Sequence, residues 1–323
     1  MRPRSVMLVS AALAALLSGC GASAVERGSV AQALAVAPGD AFEASFTDWS
    51  RVNEGDLASA VREGLRDDSL TRSTIAPQSL VWEQVFGFSP QSLDWELTAR
   101  SASGAILAFG WSSALSDDEV QAGLEQAGYE RDGDRWELGA DTALPASLSG
   151  VMAVVELDPG RRMLVAADTP EAFTEGSLLD RRGVAEVAGS LEGTPRSALF
   201  QDGPATCASG GVSGRGTQVE EQGTEAARRA GRLKEPVWSV RAVDGERFFV
   251  AAAFDSPATA TDQARVRERL ATGPFIGRAG LVEDVLRLTR VATRESVAML
   301  AFTRESTGPS MMSTTGPLLL AGC

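Results

Sequence analysis

The sequence predicts an α+β protein of two similar halves, each running strand, helix, hairpin, helix, hairpin, helix, with mainly antiparallel sheets and helices packed on one face. Three observations carry this. Apolar and polar residues alternate in short runs such as Ala41-Phe42-Glu43-Ala44-Ser45-Phe46, the period of a half-buried strand. Between such runs stand segments with four-residue apolar spacing, opened by capping residues and closed by glycine. The order of elements then restarts at Ser197, and a restart is the mark of an internal repeat.

In chain order, Phe42, Ala44 and Phe46 share one strand face, and Thr47 and Asp48 can cap the next helical segment. Leu57, Val61 and Leu65 recur every four residues behind Asp56, which predicts a helix. A second short helix covers about Gln78 to Phe86 and breaks at Phe86-Gly87-Phe88-Ser89-Pro90. A hairpin runs from Asp94 to Arg100, turns at residues 101–104 and returns from Ala105 to Trp111. Ser116-Asp117-Asp118-Glu119 is a capping box, so its carboxylates are read as capping and dipole residues rather than calcium ligands. Val120, Leu124 and Ala127 form the buried stripe of the helix it opens, and Gly128 stops it.

A small hairpin comes next across Arg131 to Arg135, then a larger one from Val151 to Leu157 and back through Met163 to Ala167. Asp168-Thr169-Pro170-Glu171 opens a helix with proline at its first position, and a further helical stretch spans Arg182 to Leu191.

The second half repeats this order. Ser197 to Asp202 answers to Phe42 to Asp48, and the hairpin from Trp238 through Asp244-Gly245 to Phe254 answers to Trp95 to Phe109. Ser256-Pro257 opens a helix closed by Gly273-Pro274, and Val285 to Phe302 repeats the hairpin of Val151 to Ala167. Leu318-Leu319-Leu320 takes the place of a third opening strand. The domain reading is therefore residues 1–19 as a signal peptide, 20–40 as a flexible tether, 41–195 as the first half, and 196–323 as the second, closed by that C-terminal strand.

The start of the chain carries an address. Arg2 and Arg4 precede an apolar run from Val6 to Leu17, and Leu17-Ser18-Gly19-Cys20 matches the bacterial lipobox, in which the cysteine is acylated after cleavage. The run is too short to span a bilayer, which takes about 20 apolar residues. Cys20 is accordingly the expected lipid attachment, and the expected location is the extracytoplasmic face of the cell membrane, held by acyl chains. Cleavage would move the formal charge from −13 to −15. So acidic a chain is a poor partner for nucleic acid.

Cys207 and Cys323 remain, an even pair in a compartment where disulfides persist, and one bridge between them is expected. Histidine is absent, Lys234 is the only lysine and Tyr129 the only tyrosine. That removes Ser/His/Asp and Cys/His catalysis and the usual nitrogen ligands of metals. No cofactor and no metal site are expected. The glycine-rich stretch Gly210 to Gly216 lacks the lysine and hydroxyl of a phosphate loop and reads as a solvated loop. Beyond it, Gln218 to Leu233 places acids early and bases late, as a surface helix does.

The lipobox, the stretch Trp82 to Leu97 with Phe86-Gly87-Phe88 and Asp94-Trp95-Glu96-Leu97, the central Cys207 and the terminal Leu320-Ala321-Gly322-Cys323 together resemble a group of uncharacterised actinobacterial lipoproteins. The resemblance implies an anchored envelope protein with a cysteine pair and carries no activity. The expected function is a noncatalytic binding or structural module of the cell envelope, taking an envelope protein or a small ligand in a cleft between the halves. A carboxylate-dependent hydrolase is the alternative, since 43 acidic residues offer pairs although no spacing marks one.

Overall fold

The structure, a computed structural model, describes residues 30–52, 55–142, 144–277, 279–305 and 310–323. Cys20 and the signal peptide lie outside the described residues. The elements run α1 (Val30–Val36), β1 (Glu43–Asp48), α2 (Leu57–Arg66), α3 (Ser79–Phe86), β2 (Leu93–Arg100), β3 (Ala105–Trp111), α4 (Asp117–Ala127), β4 (Tyr129–Asp132), β5 (Arg135–Leu138), α5 (Ala146–Ser149), β6 (Val154–Asp158) and β7 (Met163–Ala167). They continue with α6 (Val184–Ala188), β8 (Ser197–Asp202), α7 (Gly203–Gly210), α8 (Thr217–Ala230), β9 (Trp238–Asp244), β10 (Arg247–Ala253), α9 (Pro257–Leu270), β11 (Leu286–Arg294) and β12 (Val297–Arg304). This is an α+β protein.

The strands form one antiparallel sheet in the order β11-β12-β10-β9-β8-β1-β2-β3-β7-β6-β5-β4. At its centre β1 pairs with β8, from Glu43 opposite Gln201 to Thr47 opposite Ser197. Outward from that pair the sheet reads β2, β3, β7, β6 on one side and β9, β10, β12, β11 on the other. Both edges carry charge, Arg287, Arg290 and Arg294 on β11 and Glu130, Arg131 and Asp132 on β4, which discourages edge-to-edge pairing.

Local chemistry sets the helix ends. Asp56 accepts from Ser59 N at 3.1 Å to start α2. The box expected at Ser116 and Glu119 starts α4, and Gly128, at φ 95°, ends it in the left-handed conformation that glycine adopts freely. Ser256 caps α9 with Pro257 in its first turn.

The strand alternation sorts the core. One face carries Ala44, Phe46, Trp95, Leu97, Phe200 and Val240 in a single continuous cluster that crosses the sheet. The opposite face carries two clusters. Trp82, Phe86, Leu107 and Phe109 pack with α2, α3 and α4 on one side. Leu199, Val243, Phe248 and Phe302 pack with the C-terminal segment on the other. Trp82 meets Phe109 edge-on at 5.4 Å, a favoured aromatic geometry.

Four expectations are corrected by this arrangement. Helices cover both faces, because α1 and α6 bury Ala33, Leu34, Val184 and Val187 on the continuous face. Residues 20–40 are not wholly a tether, since α1 lies within them and its Leu34 is fully buried. The segment Leu318 to Gly322 is a turn rather than a strand, held by main-chain bonds from Ala321 to Leu318 and from Gly322 to Leu319. The stretches at Thr169 and at Arg182 to Leu191 are shorter than expected, a 3₁₀ turn at Pro170–Ala172 and the five-residue α6.

One structured element was also hidden in the stretch after Ser197. Gly203 to Gly210 forms α7, started by Asp202, which accepts from Ala205 N at 2.9 Å. Its glycines and small residues give almost no amphipathic signal, because close packing rather than an apolar stripe holds it. A Cβ on Gly210 would press on Gly322.

Candidate functional site: a polar seam and a cavity beside α1

Between the two clusters of the face that packs on α2, α3 and α4 runs a band of buried polar residues from the four central strands: Glu43, Thr47, Glu96, Gln201, Ser239 and Arg241 among them. The alternation of β1 predicted a half-buried strand, yet all six of its residues are buried. Of its polar side chains, Glu43, Ser45 and Asp48 find hydrogen-bond partners. Glu43 accepts from Arg72 Nη2 at 3.0 Å and from Gln201 Nε2 at 2.7 Å. Gln201 Oε1 in turn accepts from Arg241 Nη2 at 3.2 Å and from Ser209 Oγ at 2.7 Å. Arg241 also donates to the carbonyl of Ser313 at 3.2 Å. Burial lowers its guanidinium to about 10, with Arg72 adding to the effect and Glu43 opposing it, so it is still charged at neutral pH.

Glu96 is the most enclosed carboxylate of the band. It accepts from Trp49 Nε1 at 2.8 Å, Ser73 Oγ at 2.5 Å, Thr74 N at 2.5 Å and Ile75 N at 3.2 Å. Burial pushes its carboxyl above the ordinary value, and the four donors oppose that rise. Both oxygens are occupied in tying residues 49 and 73–75 to β2. Neither Glu43 nor Glu96 is presented as an acid or base to an open site.

Cys207 and Cys323 are bonded, with Cα atoms 4.9 Å apart. The bridge joins α7 to the C-terminal turn. Leu318 N donates to Gly210 O at 3.0 Å beside it, and the fully buried Arg267 donates to Gly322 O at 2.9 Å. Arg215, in the glycine-rich loop, donates to Ser209 O at 2.8 Å and to Thr314 O at 3.2 Å. That loop thus clasps the C-terminus. The cysteine pair is a fastening and not a reactive site.

The largest cavity described, about 830 Å³, lies on the other face, between α1 and the ends of β2, β3 and β7. Trp95 and Met163 form its floor, Val36 and Leu179 its apolar walls, and Arg161 and Arg162 its rim. Gly110 is required there, because a Cβ would collide with the Trp95 indole nitrogen. Arg162 comes directly after the 3₁₀ turn Pro159–Arg161 with φ 50°, and Trp111 N donates to its carbonyl at 3.1 Å, which fixes the backbone that presents the guanidinium. Arg161 pairs with Asp158 at 3.6 Å. No described carboxylate stands within ion-pair distance of Arg162. Volumes of roughly 300–1,000 Å³ suit small-molecule ligands.

Sequence reasoning missed this place. The signal for α1 was present in Val30, Ala33 and Leu34, which obey the i, i+3, i+4 rule, but the alanine-rich surroundings read as tether. Asp117, Asp118 and Glu119 stand in the first turn of α4 as capping and dipole residues, as expected. Among the described residues no group of three or more His, Cys, Asp or Glu is placed to hold a metal, and no helix is long and apolar enough to cross a membrane.

No family model matches this chain, and no curated protein does. A similar solved structure is that of crystal form III of TP0453, at a TM-score of 0.34 and 8% identity, covering 85% of this chain and 94% of that one. A likeness that slight carries neither fold nor function.

Proposed function

We propose that this chain is a lipid-anchored, extracytoplasmic envelope protein, acylated at Cys20, that binds a small ligand without transforming it. The carrying observation is the cavity of about 830 Å³ beside α1, with its apolar floor and arginine rim. It is a built space with no acid/base pair converging on it. We place the ligand there rather than between the halves, because Glu43, Gln201, Ser209 and Arg241 bond one another along that seam. The same bonding argues against the hydrolase alternative, which needs carboxylates open to substrate.

Two measurements test this reading. The wild-type protein is expected in the membrane fraction, and Cys20→Ala is expected to escape lipoprotein processing. A wild-type protein wholly soluble with an unmodified N-terminus would refute the anchor. For binding, denaturing extraction of the purified protein and mass spectrometry of the extract should reveal a small molecule that is absent from Ala35→Trp, a substitution that fills the cavity from α1. An identical extract from both proteins would refute the site.

We further infer that residues 41–195 and 196–316 are copies of one unit. The mirrored strand order about β1 and β8 supports this, as do the equivalent places of Trp95 on β2 and Trp238 on β9. Arg162 and Glu295, in corresponding turns, share φ 50°. Superposition should lay β1, β2, β3, β7 and β6 on β8, β9, β10, β12 and β11 strand for strand, and a shifted match would dismiss the duplication.

A further inference from the structure

We propose that the ligand of the cavity beside α1 is a membrane-derived anionic amphiphile, specifically a long-chain fatty acid, with its chain on Trp95 and Met163 and its carboxylate at Arg162. This rests on the reading of that cavity as the binding site and names the chemistry it takes.

Three observations converge. Trp95, Met163, Val36 and Leu179 give the cavity an apolar strip on which a flexible chain can lie, flanked by the polar Gln32, Asp94, Ser112 and Ser113. The rim is cationic in a strongly acidic protein. The mature chain would carry a formal charge of −15, so an anion is received best where a guanidinium is presented. Arg161 is shared with Asp158, whereas Arg162 is half-buried and has no described carboxylate in reach. Asp94 also lines the cavity and has an interaction of its own. A guanidinium with its fork of donors matches a carboxylate.

The third observation is the length of chain beyond the structure. Nine residues separate Cys20 from Val30, the first residue of α1, and α1 is a wall of the cavity. A fully extended segment of that length reaches roughly 35 Å at most. With Cys20 acylated, the cavity stays within that distance of the bilayer surface, where free fatty acids partition. A freely diffusing polar anion gains nothing from such tethering, and an amphiphile does.

The test uses the full mature lipoprotein reconstituted in neutral phosphatidylcholine vesicles, with a photoreactive palmitic acid as probe and peptide mass spectrometry as readout. Labelling is expected on peptides containing Val36, Trp95 or Met163. It should fall at least tenfold in Ala35→Trp and in Arg162→Gln, and Arg162→Lys should retain much of it; circular dichroism of each variant confirms that it is folded. The methyl ester of the same probe should label at least tenfold less.

Equal labelling by acid and ester, or indifference to Arg162→Gln, would overturn the anionic head group. No labelling of these peptides would overturn the fatty acid as occupant. Either failure is distinct from a failure of the binding reading itself, since a compound released from wild type and absent from Ala35→Trp would still stand.

Discussion

Asp68 and Arg304 stand 236 residues apart in the chain and form a buried ion pair, Oδ2 to Nη1 at 3.3 Å, with side chains 2% and 5% exposed. Asp68 belongs to the loop after α2 and Arg304 ends β12, so the pair locks that loop onto the second strand from the β11 edge of the sheet. Asp68 Oδ2 also accepts from Met311 N at 2.9 Å, and Arg304 donates to the carbonyls of Gly245 and Asp67. Removing one member of such a pair leaves the other charge buried and alone. Arg304→Ala is therefore expected to cost about 3–5 kcal/mol in urea unfolding. The double variant Asp68→Asn with Arg304→Met should lose clearly less than the sum of the single changes. Additive losses would show that the two residues act separately.

Glu96 predicts a pH dependence. Its folded value lies above the ordinary 4.5, so the folded protein holds that proton more tightly than the unfolded chain. The contribution of Glu96 to stability is then greatest below 4.5 and declines as pH rises through the shifted value. Glu96→Gln turns an amide NH₂ toward the donors of Trp49, Ser73, Thr74 and Ile75 and should destabilise by about 1–3 kcal/mol. Because glutamine does not titrate, the gap between wild type and variant in urea unfolding should be wider at about pH 4 than at about pH 7. A gap that widens with pH would show that the four donors hold the carboxylate below its ordinary value.

The Cys207–Cys323 bridge spans 116 residues of sequence. In the chain-entropy model a loop of that size gives at most about 4–5 kcal/mol. Cys323→Ser should lower the melting temperature and expose residues 318–322 first to hydrogen exchange, since a terminus frays once released. Arg267 and the Leu318 to Gly210 bond hold the same turn, so Arg267→Met combined with reduction should release it further. Exchange at 318–322 unchanged by reduction would contradict the fastening role.

The helix α1 predicts a fourth result. Leu34 is fully buried in the continuous cluster, and Leu34→Ala should cost about 2–5 kcal/mol. A residue of a loose tether would cost nothing. Limited proteolysis reads the difference, with new cleavage between residues 30 and 40 in the variant and none in wild type.

Much of the secondary structure was legible because it is written locally. The capping box at Ser116 and Glu119, the proline after Ser256, the hairpin alternations and Gly128 each act within a few residues, so the elements they delimit stand where the periodicity puts them. The pairing of Cys207 with Cys323 was legible by parity, because three cysteines with one assigned to lipid leave two. The short helices were not: α7 lacks an apolar stripe, and α1 has one set among alanines.

The sequence by itself determined most of the strands, the longer helices with their caps, and the parity of the strands, all consequences of backbone geometry and of residues three or four apart. Only the tertiary structure decided that both faces of β1 are buried, that Glu43 meets Gln201 and Asp68 meets Arg304, and that α1 closes a cavity over Trp95. The physical reason is distance along the chain. A polar residue on a strand reads as solvent-facing until another segment covers it, and Ser313, Met311 and Arg72 come from loops that no local pattern directs to that place. Burial of a charge is settled by its partner, and here the partners lie tens to hundreds of residues away.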